Sequence, residues 1–249
     1  MKAIIIAAGY SSRLGNYIKE TPKALLNING KTILERQTGL LKANLVKDII
    51  IITGPNKSKF DHSEFTFVND VLYKEHEQLG SLMTAKDYFN DELLILFSDV
   101  LFDNEIIKTI IESKYEYGIG IDLDWEKGYE GRTEHPKSEA DLALIQQNSI
   151  VGIKKNISKK HENEKIGEFL GIMKMSISGS TKFKEKFEEL ERTHEGTFHD
   201  APSLKKAYLT DMIQELIHNN ERVYPIIIKG KWCEIDTSQD LERVQKIFK

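Results

Sequence analysis

One cysteine, Cys233, is present among 249 residues, so no intrachain disulfide can form and stability must come from packing. Five prolines are too few for a proline-rich linker, and no internal repeat or low-complexity tract interrupts the chain. No apolar run approaches the ~18 residues that a membrane-spanning helix needs. The N-terminus lacks a basic segment, a long apolar stretch and a small-residue cleavage site, so a cytoplasmic location without membrane attachment is expected. An excess of positive charge is also missing. Lys plus Arg number 35 and Asp plus Glu 39, giving a formal net charge of −4. Non-specific nucleic-acid binding depends on such an excess, so no nucleic-acid partner is expected, although a local cationic pocket is compatible with the balance. The seven histidines show no metal-ligand spacing beyond His194 and His199, which lie in a polar stretch. What is there is a globular composition, 40% hydrophobic and 30% charged, long enough for one large α/β domain or two small ones.

Apolar runs and helical patterns alternate. Lys2–Ala8 reads as a buried strand, and Ile49–Ile52 gives Asp48–Thr53 the character of a strand covered on both faces. Further strands are expected at Phe65–Val68 and Glu92–Phe97, with helices at Thr32–Ala43, Ser81–Phe89 and Asn104–Ser113. This order predicts a doubly wound, mostly parallel α/β sheet. The middle differs. Tyr117–Asp122 reads as a strand, 124–140 as a polar loop able to cover a site, Asp141–Lys154 as a hairpin and Gly167–Met175 as a strand. Helices are expected over Ser180–Arg192, Ala207–Asn219 and Ser238–Phe248, the last with Ser238 as N-cap, and strands over Val223–Ile228 and Trp232–Ile235. One domain with an inserted, smaller β-containing subdomain fits this order: a nucleotide-binding part over about 1–115, an acceptor-binding part over about 116–235 and a closing helix over 236–249.

The chemistry concentrates near the start. The first strand ends at Ala7-Ala8-Gly9-Tyr10-Ser11-Ser12, a turn without bulky side chains before Tyr10, whose N–H groups can approach an anion. Arg13 and, after Pro22, Lys23 supply two cations. The same residues also suit a surface turn after an ordinary strand. Asp99 follows the run Leu93–Phe97, at the strand end where α/β sheets bind ligands, and reads as a metal ligand or as a turn cap. Asp236 ends another strand before a helix. Alone it suits a helix N-terminus; beside Asp99 and a triphosphate it suits Mg²⁺, which prefers oxygen ligands. Gly80-Ser81 reads as a backbone N–H site or as a simple helix start. Arg132, His135 and Lys137 form a cationic group that clamps a phosphate or stands solvated. Glu168 is a candidate acceptor for a substrate hydroxyl or amine, and Asp211 is either structural or a partner for an amino group.

The stretch from Ala7 to Arg13, with Pro22-Lys23-Ala24-Leu25, resembles the AAG-x-G-x-R…PK-x-L signature of nucleotidyltransferases that make sugar nucleotides and CDP-linked compounds, with Ser11 in place of the second glycine. Glu77–Leu82, Ser98–Asp103, Gly167–Gly171, Ala207–Asp211 and Gly230–Thr237 extend the likeness over nearly the whole chain, in the order found in cytidylyltransferases of phosphonate and phosphorylated small-molecule pathways, including those associated with phosphoenolpyruvate mutases. The resemblance implies the nucleotide-diphospho-sugar transferase type of Rossmann-like fold and a reaction in which CTP and a phosphate- or phosphonate-bearing small molecule give a CDP-linked or CMP-phosphonate product and pyrophosphate. It implies Mg²⁺ as cofactor on Asp99 and Asp236. The nucleotide would sit on Ala7–Arg13, Lys23, Gly80, Ser81 and Asp99, with Lys23 and Arg13 catalytic, and the acceptor on Arg132, His135, Glu168 and Asp211. Rival readings are a hexose-1-phosphate nucleotidyltransferase using another nucleotide, a non-catalytic nucleotide-binding module, and a glycosyltransferase with metal on Asp122 and Asp124. Gly30-Lys31-Thr32 is no P-loop, because Leu25 stands where a glycine is required. Neither the acceptor nor the oligomeric state is fixed by sequence.

Overall fold

The computed structural model describes residues 1–9, 14, 21–55, 57–60 and 64–249. Among them, chain order runs β1 (Lys2–Ala7), β2 (Asn27–Ile28), β3 (Lys31–Thr32), α1 (Ile33–Ala43), β4 (Asp48–Thr53), β5 (Thr66–Asn69), α2 (Gln78–Met83), β6 (Leu93–Phe97), β7 (Val100–Phe102) and α3 (Asn104–Glu112). It continues with β8 (Tyr117–Asp122), β9 (Asp141–Gln146), β10 (Ser149–Lys155), β11 (Lys165–Met175), α4 (Ile177–Thr193), α5 (Leu209–His218), β12 (Val223–Ile227), β13 (Trp232–Glu234) and α6 (Ser238–Ile247). No described helix is long and apolar enough to cross a membrane.

Nine strands form one mixed sheet with a parallel core. Strands β5, β4, β1 and β6 are parallel neighbours, in register from Ala3 opposite Ile49 and Leu94. Ile49–Ile52 and Leu93–Leu96 are almost fully buried, as strands covered on both faces should be. Strand β11 then runs antiparallel to β6 and carries the sheet into its second half. Its C-terminal part pairs with β6 and its N-terminal part with β9, while β8 lies along its other side and β12 pairs parallel to β8. The change of partner falls at Gly171, whose φ of +72° only glycine adopts freely, and where a Cβ would meet the Phe97 ring at 2.3 Å. The strands of the C-terminal half thus extend the sheet that holds the N-terminal half.

Several expected boundaries move for local reasons. Helix α1 starts after Thr32, because Thr32 and Glu35 cap each other reciprocally. Helix α6 is capped by Thr237 rather than Ser238, since Asp240 at the third position accepts from the Thr237 backbone while Thr237 Oγ1 accepts from Asp240 N. The expected helix over Ser81–Phe89 is instead α2 and a separate 3-10 turn at Lys86–Tyr88. Stretch 124–140 is anchored rather than a free cover: Trp125 and Tyr129 are buried with Ala140 and Leu142 in a small apolar cluster.

One buried polar residue fixes the corner after β6. Gln37, on α1, donates to the carbonyls of Phe97 (2.9 Å) and Val100 (2.7 Å), which flank Ser98-Asp99. Gln37→Leu leaves both carbonyls without this donor and should destabilise the fold by about 1–3 kcal/mol. The check is the urea midpoint, which falls with m unchanged.

Candidate active site

Asp99 and Asp236 are brought together by a two-stranded ladder. β13 pairs antiparallel with β7, placing Glu234 opposite Val100, and Ile235 N then donates to Asp99 O at 3.0 Å. The carboxylates beyond this ladder converge on one ammonium. Lys23 Nζ lies 2.6 Å from Asp236 Oδ1 and 2.9 Å from Asp99 Oδ2. Pro22 precedes Lys23 on a short 3-10 turn, and the lysine side chain is only 15% exposed. Burial by itself lowers the Lys23 pKa, but the adjacent Asp99 and Asp236 charges outweigh it and hold the ammonium above its ordinary range.

This cluster sits in a cavity of about 640 Å³ at the C-terminal ends of β1 and β6. Ala7, Ala8 and Gly9 form one wall beside Lys23 and Asp99. His135, Glu139, Asp141, Lys155, Tyr208 and Glu234 also line the cavity. Tyr10, Ser11, Ser12 and Arg13, assigned to the nucleotide from sequence, lie outside the described residues.

His135 is buried, with Nδ1 3.1 Å from Asp236 Oδ2 and Nε2 3.9 Å from Glu234 Oε2. Neither ring nitrogen is aligned for a hydrogen bond among the described residues. Glu234 escaped the sequence reading; its signal was its place two residues before Asp236, hidden within an apolar strand. Its carboxyl is pushed well up, first by burial and then by Asp236 and Asp99. Asp141 is raised to about 6, chiefly by burial, against the lowering effect of Lys155. Lys155, also missed, pairs with Glu139 at 2.6 Å. Asp99 and Asp236 share one cation at Lys23 Nζ, and Asp236 also has a ligand atom within 4.8 Å of ligand atoms of Glu234 and His135. The donor set therefore fits a divalent ion with oxygen preference.

Other sequence assignments meet different partners. Arg132 binds Asp240 in two-point fashion, at 2.6 and 2.9 Å, and is absent from the cavity wall. Both groups are buried, so the guanidinium is held by α6 instead of being offered to a phosphate. Glu168 accepts from Tyr129 Oη at 2.5 Å behind the wall. Asp211 accepts from Tyr208 N at 2.7 Å and caps α5. Ser81 faces the cavity, yet its hydroxyl donates to buried Asp70 at 2.7 Å and its N–H to Glu77 O. Gly80 lies within α2 and provides space: a Cβ there would stand 2.7 Å from the His76 ring and 2.9 Å from Lys205 O. Gly80 and Ser81 thus lie in the first turn of α2, and Ser81 is committed to Asp70 and Glu77 through its hydroxyl and its N–H. Asp122 accepts from the Trp232 indole and Asp124 pairs with Lys127, so the metal pair of a glycosyltransferase is not assembled.

Residues 3–125 match the MobA-like NTP transferase domain. Over 97% of its length the chain is 26% identical to the CTP:phosphoglutamine cytidylyltransferase of Campylobacter jejuni, covering 98% of that protein. The chain is a nucleotidyltransferase. This nucleotidyltransferase is also 34% identical to the choline-phosphate cytidylyltransferase of Streptococcus pneumoniae over 119 residues, 46% of this chain and 52% of that one. It aligns over 99% of its length with the bifunctional protein GlmU of Methanocaldococcus jannaschii at 26% identity, but spans about half (54%) of that relative. The structure of the CTP:phosphocholine cytidylyltransferase from Streptococcus pneumoniae superposes with a TM-score of 0.77 at 22% identity, covering 100% of this chain and 99% of that one. The nucleotide-diphospho-sugar transferase-like fold is thereby established.

Arg132→Met removes the two-point partner of the buried Asp240 carboxylate, leaving Arg243 at 3.7 Å, and should cost up to about 3 kcal/mol, the low end for breaking a buried pair, read as a loss in chemical-denaturation stability. Glu168 supplies a pH signature. Burial raises its pKa to about 7 despite the Tyr129 hydroxyl and Arg132, which both favour the charged form. Its unfolded value is about 4.3. Between these pH values the native state binds more protons than the unfolded chain, so stability falls as pH rises through the window. Glu168→Gln removes this contribution, and urea denaturation should show the variant gaining on wild type from about pH 4.5 to pH 7.

Proposed function

We propose that the nucleotidyltransferase transfers CMP from CTP to a phosphate or phosphonate oxygen of a small molecule and releases pyrophosphate. The observation that carries this reading is the convergence of Asp99, Asp236 and Lys23 in a cavity lined also by the β1 turn, His135, Asp141 and Tyr208. In this reading the triphosphate lies beside the β1 turn and the acceptor beside His135, Asp141 and Tyr208. The cytidylyltransferases of Campylobacter jejuni and Streptococcus pneumoniae support CTP as donor and a phosphorylated small molecule as acceptor.

In the proposed reaction an acceptor phosphate or phosphonate oxygen forms a bond to the α-phosphorus. The bond from that phosphorus to the bridging oxygen breaks, and pyrophosphate carries away its electron pair. The nucleophile is already anionic, so no general base is required. Repulsion between anions is the obstacle: at about 4 Å a like-charge pair costs on the order of 4 kcal/mol at an effective dielectric near 20. Lys23, held charged, is positioned to bridge the α-phosphate and the incoming oxygen. Arg13 is assigned to the leaving pyrophosphate on the sequence motif. Mg²⁺, with Asp99 and Asp236 as its protein ligands, supplies further neutralisation of phosphate charge when bound. His135 is the acceptor-side residue retained from the sequence assignment; Arg132, Glu168 and Asp211 are assigned to support the wall. The contribution of these groups is positioning and electrostatic stabilisation.

The test is pyrophosphate release with Mg²⁺ across CTP, UTP, GTP, ATP and dTTP, each with phosphoalcohols, phosphonates, phosphorylated amino-acid amides and sugar 1-phosphates. CTP-selective release with an acceptor outside the sugars supports the reading. Release only with a sugar 1-phosphate and another nucleotide assigns the same site to the rival function. Lys23→Ala should lower kcat by about 10²-fold or more, on the scale of a lost transition-state donor. Asp99→Ala should lose metal-dependent turnover while circular dichroism stays native. Undiminished turnover in Asp99→Ala overturns the metal assignment.

A further inference from the structure

A second cluster of metal-binding groups lies away from the candidate active site, where α5 meets a tight hairpin. Phe198 and Ala201 exchange both backbone hydrogen bonds at 2.9 Å, and His199 at the tip adopts a φ of +51°. This left-handed conformation, unusual for histidine, turns the ring onto α5. His199 Nε2 lies 3.0 Å from Glu215 Oε2. Glu215 and His218, three positions apart, share one face of α5. The His199 and His218 rings stand 5.2 Å apart, and one ligand atom from each of the three residues lies within 4.8 Å of the others.

We propose that His199, Glu215 and His218 form a binding site for a Zn²⁺-class transition-metal ion, which clamps the 198–201 hairpin to α5. The ligand chemistry fits. Two imidazoles and one carboxylate suit Zn²⁺, with a water completing the tetrahedron. Metal–ligand distances of about 2.0–2.1 Å place ligand atoms of a tetrahedral site ~3.3 Å apart, close to the His199–Glu215 separation. The remaining atom pairs close by side-chain rotation, which the exposed His218 permits. The carboxylate is already oriented from outside the cluster. Asn219 Nδ2 donates to Glu215 Oε1 at 2.8 Å and Lys186 Nζ stands 3.6 Å from the same oxygen, leaving Oε2 directed at His199. Asp200 N also donates to Asp211 Oδ1 at 3.4 Å, so the hairpin has a second tie to α5. The chain between hairpin and helix carries Lys206 and Tyr208 into the cavity wall, and the clamp fixes both ends of that segment.

The experiment is Zn²⁺ titration of the full chain in competition with a chromophoric chelator, in excess Mg²⁺. Co²⁺ absorption reports coordination geometry. Wild type should take up one equivalent and give the visible bands of tetrahedral Co²⁺. His218→Ala and His199→Asn should each weaken Zn²⁺ binding by more than about tenfold and lose those bands. Asparagine is used at 199 because it tolerates positive φ. His135→Asn separates this cluster from the His135–Glu234–Asp236 group at the candidate active site, and it should retain binding. Circular dichroism verifies that each variant folds. Binding that survives in His218→Ala, disappears in His135→Asn, or is absent in wild type overturns the proposal.

Discussion

The arrangement depends on one charge balance: an ammonium between two carboxylates at the mouth of the parallel sheet. Asp99 and Asp236 come from distant parts of the chain and repel one another in a partly desolvated space. Lys23 offsets that repulsion at 2.6 and 2.9 Å, and the β7–β13 ladder holds the backbones to which the carboxylates belong. Gln37 secures the same corner from the helix side. A site built this way has its negative groups gathered before any ligand arrives.

The part of the cavity lined by His135, Glu139, Asp141 and Glu234 follows different physics. It is rich in acid, and burial raises the pKa values of Asp141, Glu168 and Glu234. Arg132 and Asp240 form a buried pair beneath it, an arrangement costly to break and poorly suited to recruiting a mobile anion. A cation that looks available in the sequence is thus consumed by tertiary structure. His135, one of seven histidines with no distinctive spacing, is instead brought within 3.1 Å of Asp236 Oδ2. The groups facing the cavity carry both signs, consistent with recognition of a small molecule by several short polar contacts.

Local rules made much of the fold legible. Four successive isoleucines mark β4 as doubly covered, and Phe183, Phe187 and Leu190 mark the buried face of α4. Asp99 could be placed at a strand end from its apolar run alone. The same rules missed the Thr237 cap, because Ser238 is an equally acceptable capping residue by type and only Asp240 decides between them. They read 124–140 as a loop able to cover a site; it does supply His135 and Glu139 to the cavity lining, but its anchoring was not legible. Charge and glycine dominate that stretch, while two aromatic side chains determine where it packs.

The sequence by itself determined the alternation of strands and helices, the parallel core and the residue types available for phosphate and metal chemistry, since these follow from hydrophobic period and turn composition over a few residues. Only the tertiary structure decided which charges meet. Arg132 was committed to Asp240, Glu168 to Tyr129 and Asp211 to a helix cap, whereas Glu234 and His135 joined Asp236. The physical reason is that a pattern along the chain sets which face a side chain occupies, but electrostatic partnership falls off over a few ångströms and is set by the packing of elements far apart in sequence.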